Sequence, residues 1–192
     1  MPRIAAPTIS ENRDLRQTAI LEAATTIAHN DGLAKITVGE VARLAGISRS
    51  SVYDYFDSAA DIIAEVLVDE LMEMCNRLAE GVAPASNPKE LIELWVRTSM
   101  SLIADGRHQV LRSAAGLDLP PTRKAQINQL HRQMAVPLVD ALASFGVTNP
   151  IRMAQQISAV ADVAVRQIEA GGDPQLEIAA AERFVLAGVA SL

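Results

Sequence analysis

Hydroxyl and guanidinium groups crowd one short stretch of the chain: Ser48, Arg49, Ser50, Ser51, Tyr53 and Tyr55 fall within eight positions, with Thr37 and Arg43 upstream. Short or planar donors of this kind reach phosphate oxygens and the donor and acceptor edges of base pairs in a major groove. The chemistry is recognition. Of the six aromatic residues in the chain, Tyr53, Tyr55 and Phe56 sit within four positions. A tyrosine can rest its ring on a small core and offer its hydroxyl to a phosphate. For Tyr53 and Tyr55 simple core filling is the alternative, and for Phe56 it is the expected role.

The elements that must position these groups are legible around them. Residues 37–56, TVGEVARLAGISRSSVYDYF, read as two short helices joined by a turn. Thr37 with Glu40 three positions on has the spacing of a capping box, in which each residue satisfies an unpaired N–H at a helix start. Val41 and Ala45 give the first helix an apolar face, and Ala42 is small where a second helix crosses. Gly46 permits a left-handed turn, and Ile47 and Val52 close the core. Upstream, Ile20, Ala23, Ala24, Ile27 and Ala28 recur at helical spacing, with Asn12 as the expected cap and Asn30-Asp31-Gly32 as the stop. Downstream, Ser58 and Asp61 repeat the capping spacing before a long helix carrying Ile63, Val66, Leu67, Met74 and Leu78. Residues 1–11 read as a mobile arm in which Arg3 either reaches a minor groove or belongs to a disordered tail.

Composition agrees with helices throughout. The chain has 192 residues, 49% hydrophobic, 21% charged and only 3% aromatic, and its apolar residues are mostly Ala, Leu and Met, which favour helix over strand. Asn87-Pro88, Asn149-Pro150 and Asp173-Pro174 each place a capping side chain before a proline at the first helical position. Helices are expected near 88–104, 107–116, 122–145, 150–170 and 175–190, giving an all-α protein of about nine helices. Turn formers at 81–87 separate the front of the chain from its remainder, and the expected division is a head over 1–57 and a second part over 58–192.

Several function classes are excluded. The run Phe184 to Ala190 is too short for a bilayer, which needs roughly 20 apolar residues, and no secretory signal opens the chain. Cys75 is alone, which fits a reducing compartment, and the cytoplasm is expected. His29, His108 and His131 lack a metal-binding spacing, no nucleophile has a base and orienter, and the glycines form neither a phosphate loop nor a dinucleotide fingerprint. No cofactor, metal site or enzymatic activity is expected.

An N-terminal helix, then TVGEVARLAGISRSSVYDYF ending in Val52-Tyr53-x-Tyr55-Phe56, then a capped long helix, resembles a TetR-family transcriptional regulator over about residues 13–67. The resemblance implies a homodimer whose paired heads bind a two-fold DNA operator, and a C-terminal helical domain whose small-molecule effector releases the DNA. It implies a phosphate contact at Thr37, a recognition set of Ser48, Arg49, Ser50, Ser51, Tyr53 and Tyr55, and a further phosphate contact at Arg43 unless that arginine is merely solvated. Two departures stand out. Ala59 and Ala60 occupy the place where members commonly carry a lysine, and Asp54 brings a negative charge into the reading region unless it accepts from a cytosine amino group or points to solvent. The alternative reading is a helical small-molecule-binding protein or enzyme with a vestigial head.

Net charge is −6, and residues 1–57 hold six basic against seven acidic side chains, so binding through bulk positive charge is not expected. In the second part, Ala154, Ser158, Ala161 and Val165 form a stripe of small residues. The last helix, with Ala180, Phe184, Ala187 and Gly188, is apolar almost all round. Together they suit a self-complementary four-helix dimer interface, with packing inside one subunit as the alternative. Trp95, Met100, His131 and Met134 are the expected effector lining, for a lipophilic or weakly polar ligand, although core packing serves Trp95 and the methionines equally well. Pro137, inside a helical pattern, is expected to kink it beside a cavity.

Overall fold

Six of the eight α-helices described in the computed structural model begin where a side chain accepts an otherwise unpaired N–H, whereas the helix that follows Pro120 opens without such a cap. The structure describes residues 9–104, 110, 111, 113, 114 and 116–190. Among them the regular structure is helical: α1 (Ile9–Asp31), a single 3-10 turn (Leu33–Lys35), α2 (Val38–Ala45), α3 (Arg49–Tyr53), α4 (Ala59–Val82), α5 (Pro88–Ala104), α6 (Pro121–Ser144), α7 (Pro150–Glu169) and α8 (Pro174–Ala190). Thr37, Ser48 and Ser58 accept from the N–H groups of Glu40, Ser51 and Asp61. Asn87, Asn149 and Asp173 do the same ahead of their prolines, from Glu90, Arg152 and Gln175. Caps of this type are each worth about 1 kcal/mol.

Two expectations change. α1 starts at Ile9, so Asn12 lies inside the helix rather than capping it. Glu40 turns to Arg43, Nε to Oε2 2.8 Å, instead of closing a reciprocal box with Thr37. The helix expected over 107–116 lies largely outside the described residues, as do Arg3 and His108. The described part holds eight α-helices.

The turn between α2 and α3 follows the sequence closely. Gly46 has φ +69°, and the next N–H, of Ile47, donates to the carbonyl of Ala42 at 3.0 Å. A side chain at that left-handed position would be strained.

Two apolar cores share α4. The first joins Ile20, Ala24 and Ile27 of α1, Val41 and Ala42 of α2, Val52, Phe56, and Ile62, Val66 and Leu67 of α4. Phe56 is a core residue, as expected. The second joins Met74 and Leu78 of α4 to Ile92, Trp95 and Met100 of α5, Leu138 and Leu142 of α6, Ile157 of α7 and Val185 of α8. Burying a Leu, Ile or Met side chain contributes about 1.5–3 kcal/mol, so both ends of α4 are clamped. Val110 and Leu119, between α5 and α6, pack on the first core. Ion pairs tie the outside: Arg97 of α5 grips Glu182 of α8 in a two-pronged contact at 2.8 and 3.3 Å, and Arg123 of α6 meets Glu65 of α4.

Candidate nucleic-acid interface and ligand cavity

The proposed reading residues lie together on α2, the turn and α3. Ser48 caps α3, accepting from the Ser51 N–H at 3.1 Å, and its hydroxyl also lies 2.8 Å from that of Ser50 and 2.9 Å from that of Ser51. The first turn of α3 is therefore a cluster of linked hydroxyls on an exposed surface. Arg49 is exposed and Tyr53 is 57% exposed. Thr37 accepts from Glu40 at 3.2 Å, which leaves its own O–H available to a phosphate. Arg43 is exposed but held by Glu40, so a phosphate would have to displace a carboxylate there.

Two residues of this surface escape sequence reasoning. The guanidinium of Arg13, on α1, stands 5.3 Å from the centre of the Tyr55 ring and donates to the carbonyl of Asp54 at 3.4 Å. Tyr55 is thus half-buried beneath an arginine. Gly39 is the other. A Cβ placed there would run into the Arg49 guanidinium. Neither relation has a sequence signal, because each joins residues on separate elements of the chain. Asp54 is exposed just past the end of α3.

In the second part, Trp95, His131 and Met134 line one cavity of about 180 Å³ between α4, α5, α6 and α7. Met100 does not join them. It is fully buried in the core instead, a correction explained by its place on the inner face of α5. Trp95 donates its indole N–H to the Met134 carbonyl at 3.0 Å, which fixes its ring as an apolar wall. The cavity touches a wider one of about 590 Å³, lined by Leu67, Leu117, Leu119, Lys124, Ile127 and Asn128; Leu111 and His131 belong to both. α6 runs through Pro137, one turn beyond Met134. Cys75 donates to the Leu130 carbonyl at 3.7 Å, and burial pushes its thiol pKa up, which disfavours the reactive thiolate.

The stripe expected to face a partner turns inward on α7. Ala154, Ala161 and Val165 are buried within the chain, and half-buried Ser158 donates to the Ala154 carbonyl at 3.0 Å while lining the small cavity. Their small size lets α7 approach its own neighbours. On α8 the arrangement is the reverse: Ala181, Val185 and Val189 face the core, whereas Ala180, Phe184, Ala187 and Gly188 are exposed, Phe184 at 69%. Exposed Leu176 and, on α7, Val163 and Ile151 extend the apolar surface. The last helix is buried on one side within this chain.

His29 of α1 bonds Glu70 of α4 at 2.8 Å, joining the head to the connecting helix. Beside it Asp69 has its pKa raised, first by burial and then by Glu65 and Glu70, with Arg123 opposing.

A tri-helical head with an exposed third helix, mounted on a helical body that holds a cleft, is the architecture of a helix-turn-helix protein of the regulator class. Residues 20–66 match the family model of bacterial regulatory proteins, tetR family, so the N-terminal part of the chain is a TetR-type head. An HTH-type transcriptional repressor, KstR2, of Rhodococcus jostii is 32% identical over 96 residues, covering 50% of this chain and 47% of that protein. The chain thus spans about half the length of that relative. The fold extends further. A TetR/AcrR-family regulator from Thermobifida fusca superposes with a TM-score of 0.75 at 18% identity, over 91% of this chain and 98% of the other. The regulator FadR from Bacillus subtilis, in complex with stearoyl-CoA, gives 0.67 at 20% identity over 90% and 97%. Among the described residues no helix is long and apolar enough to cross a membrane.

Proposed function

We propose that the protein is a transcriptional repressor that binds a two-fold DNA operator as a homodimer and lets go when a small molecule occupies its helical body. The observation that carries this reading is the exposed pair Arg49 and Tyr53 on a helix held by the buried Val41, Ala42 and Val52. Thr37 and Arg43 contact phosphates, and Ser48, Arg49, Ser50, Ser51, Tyr53 and Tyr55 face the groove. The repressor among its relatives supports the direction of control, and the acyl-CoA held by the FadR neighbour supports a lipophilic effector.

The head spans 1–57 and the body 58–192, with α4 as the connector. The dimer is formed by the exposed face of α8, through Ala180, Phe184, Ala187 and Gly188, beside Val163 of α7. Effector binding shifts the population between two spacings of the paired heads, only one of which matches half-sites roughly 34–36 Å apart or a multiple of that. The reading places the protein in the cytoplasm, with the DNA, and gives it no enzymatic role.

A gel shift on DNA immediately upstream of the protein's own gene tests the reading. A retarded band that survives competition by scrambled DNA supports it, and equal competition by both removes it.

A further inference from the structure

The effector site is not chemically uniform, and its gradient runs along one face of α6. Lys124, Asn128, His131, Ala135 and Leu138 follow one another at alternating steps of four and three, so they share a face. From Lys124 to Ala135 that face climbs about 16 Å. Lys124, Asn128 and His131 line the wider cavity, of about 590 Å³. His131 and Ala135 line the inner one, of about 180 Å³, and Leu138 is buried in the core beyond.

Charge follows the same gradient. The described residues lining the wider cavity include Lys124 and no carboxylate. Lys124 pairs with Asp118 at 3.3 Å, but Asp118 is fully exposed, and an ion pair so open to solvent holds its partners weakly. An anion entering the cavity can replace it cheaply. Nδ1 of His131 lies 3.1 Å from the Ile127 carbonyl, so the donors at this mouth are Lys124 and Asn128. The inner cavity is walled by Leu71, Met74, Trp95 and Met134, its Ser99 and Ser158 hydroxyls are spent on the Trp95 and Ala154 carbonyls, and the carboxylate among its described lining residues, exposed Asp162, disfavours an anion there. Below the roughly 300 Å³ of ordinary ligand sites, the inner cavity holds part of a ligand rather than a whole one.

From this geometry we infer, on the basis of the regulator reading above, that the effector is an amphipathic anion: its aliphatic chain enters the inner cavity past His131, and its carboxylate or phosphate stays at Lys124 and Asn128. The orientation is set from both ends, by Lys124 attracting the head and by Asp162 and the apolar walls refusing it.

Trp95 is the chain's only tryptophan and walls the inner cavity, so its fluorescence reports the tail directly. Dodecanoate, dodecyl phosphate and dodecanol are titrated into the full chain below their micelle concentrations. The two anions probe the two sources of the headgroup, a free fatty acid and a phosphate-bearing derivative. At least one of them binds about tenfold or more tighter than dodecanol, the range of a hydrogen bond to a charged group. In Lys124→Gln that preference falls to about twofold or less, while dodecanol affinity and thermal melting stay unchanged, which separates a headgroup contact from a structural role.

Equal binding of anion and alcohol, an undiminished preference in Lys124→Gln, or no response of Trp95 to any of the three overturns the inference. Those results leave the DNA reading standing if the gel shift succeeds. Failure of the gel shift alone removes the regulator while the fluorescence result still stands.

Discussion

The guanidinium of Arg49 occupies the space in which a Cβ of Gly39 would stand. Gly39 lies in the first turn of α2 and Arg49 opens α3, so the missing side chain of one helix seats the proposed reading residue of the next. Alanine at position 39 favours helix by about 1 kcal/mol, and the atoms it displaces are the far end of a flexible side chain. Gly39→Ala is therefore expected to keep or slightly raise the melting temperature while weakening operator binding about tenfold, measured by melting and gel shift on the same preparation.

Glu40 pairs with Arg43 in the unbound protein and competes with a phosphate for it. Releasing it with Glu40→Gln is expected to tighten binding to operator and scrambled DNA alike and to steepen the plot of log K against log salt by about 0.9, the contribution of one neutralised phosphate. The unaltered protein, with six basic residues in its head, is expected to show a shallow slope and poor binding to scrambled DNA. A Glu40→Gln slope equal to that of the unaltered protein would show that Arg43 touches no phosphate.

Phe184 is the one aromatic side chain on α8 and is exposed, so its removal costs the single chain little. Phe184→Glu is expected to convert a dimer to a folded monomer by light scattering and to reduce operator affinity with it. A dimer that persists places the interface elsewhere.

Asp69 sits beside Glu65 and Glu70, and its raised pKa means the folded state holds this proton more tightly than the unfolded chain does. Between the ordinary carboxylate pKa and the raised value, the native state binds more protons, so stability falls as pH rises through that window and the cost persists at neutral pH. Asp69→Asn is expected to raise the melting temperature at neutral pH by no more than about 4 °C, because partly exposed charges are worth under about 1 kcal/mol. The gain should vanish below the ordinary carboxylate range.

Legibility in the sequence followed the range of the interactions. Gly46, Ser58 and the three Asn-Pro and Asp-Pro pairs act on backbone a few positions away, so their residue types alone located the turn and most helix starts. The small residues Ala154, Ala161 and Val165 announced close packing but not against what, and they pack within their own chain. Met100 shared a composition with the cavity lining yet lies in the core, because apolar residues serve either place. Arg13 over Tyr55 and His29 on Glu70 join residues 41 or more positions apart and left no local trace.

The central claim is that α3 distinguishes one DNA sequence from another. Replacing Arg49 and Tyr53 together by alanine removes two exposed side chains and none of the core, so the fold should survive with an unchanged circular dichroism melt. Competition gel shifts of this variant on operator and scrambled DNA give the decisive reading: the two affinities are expected to converge, and a preference for operator as large as that of the unaltered protein would contradict the account.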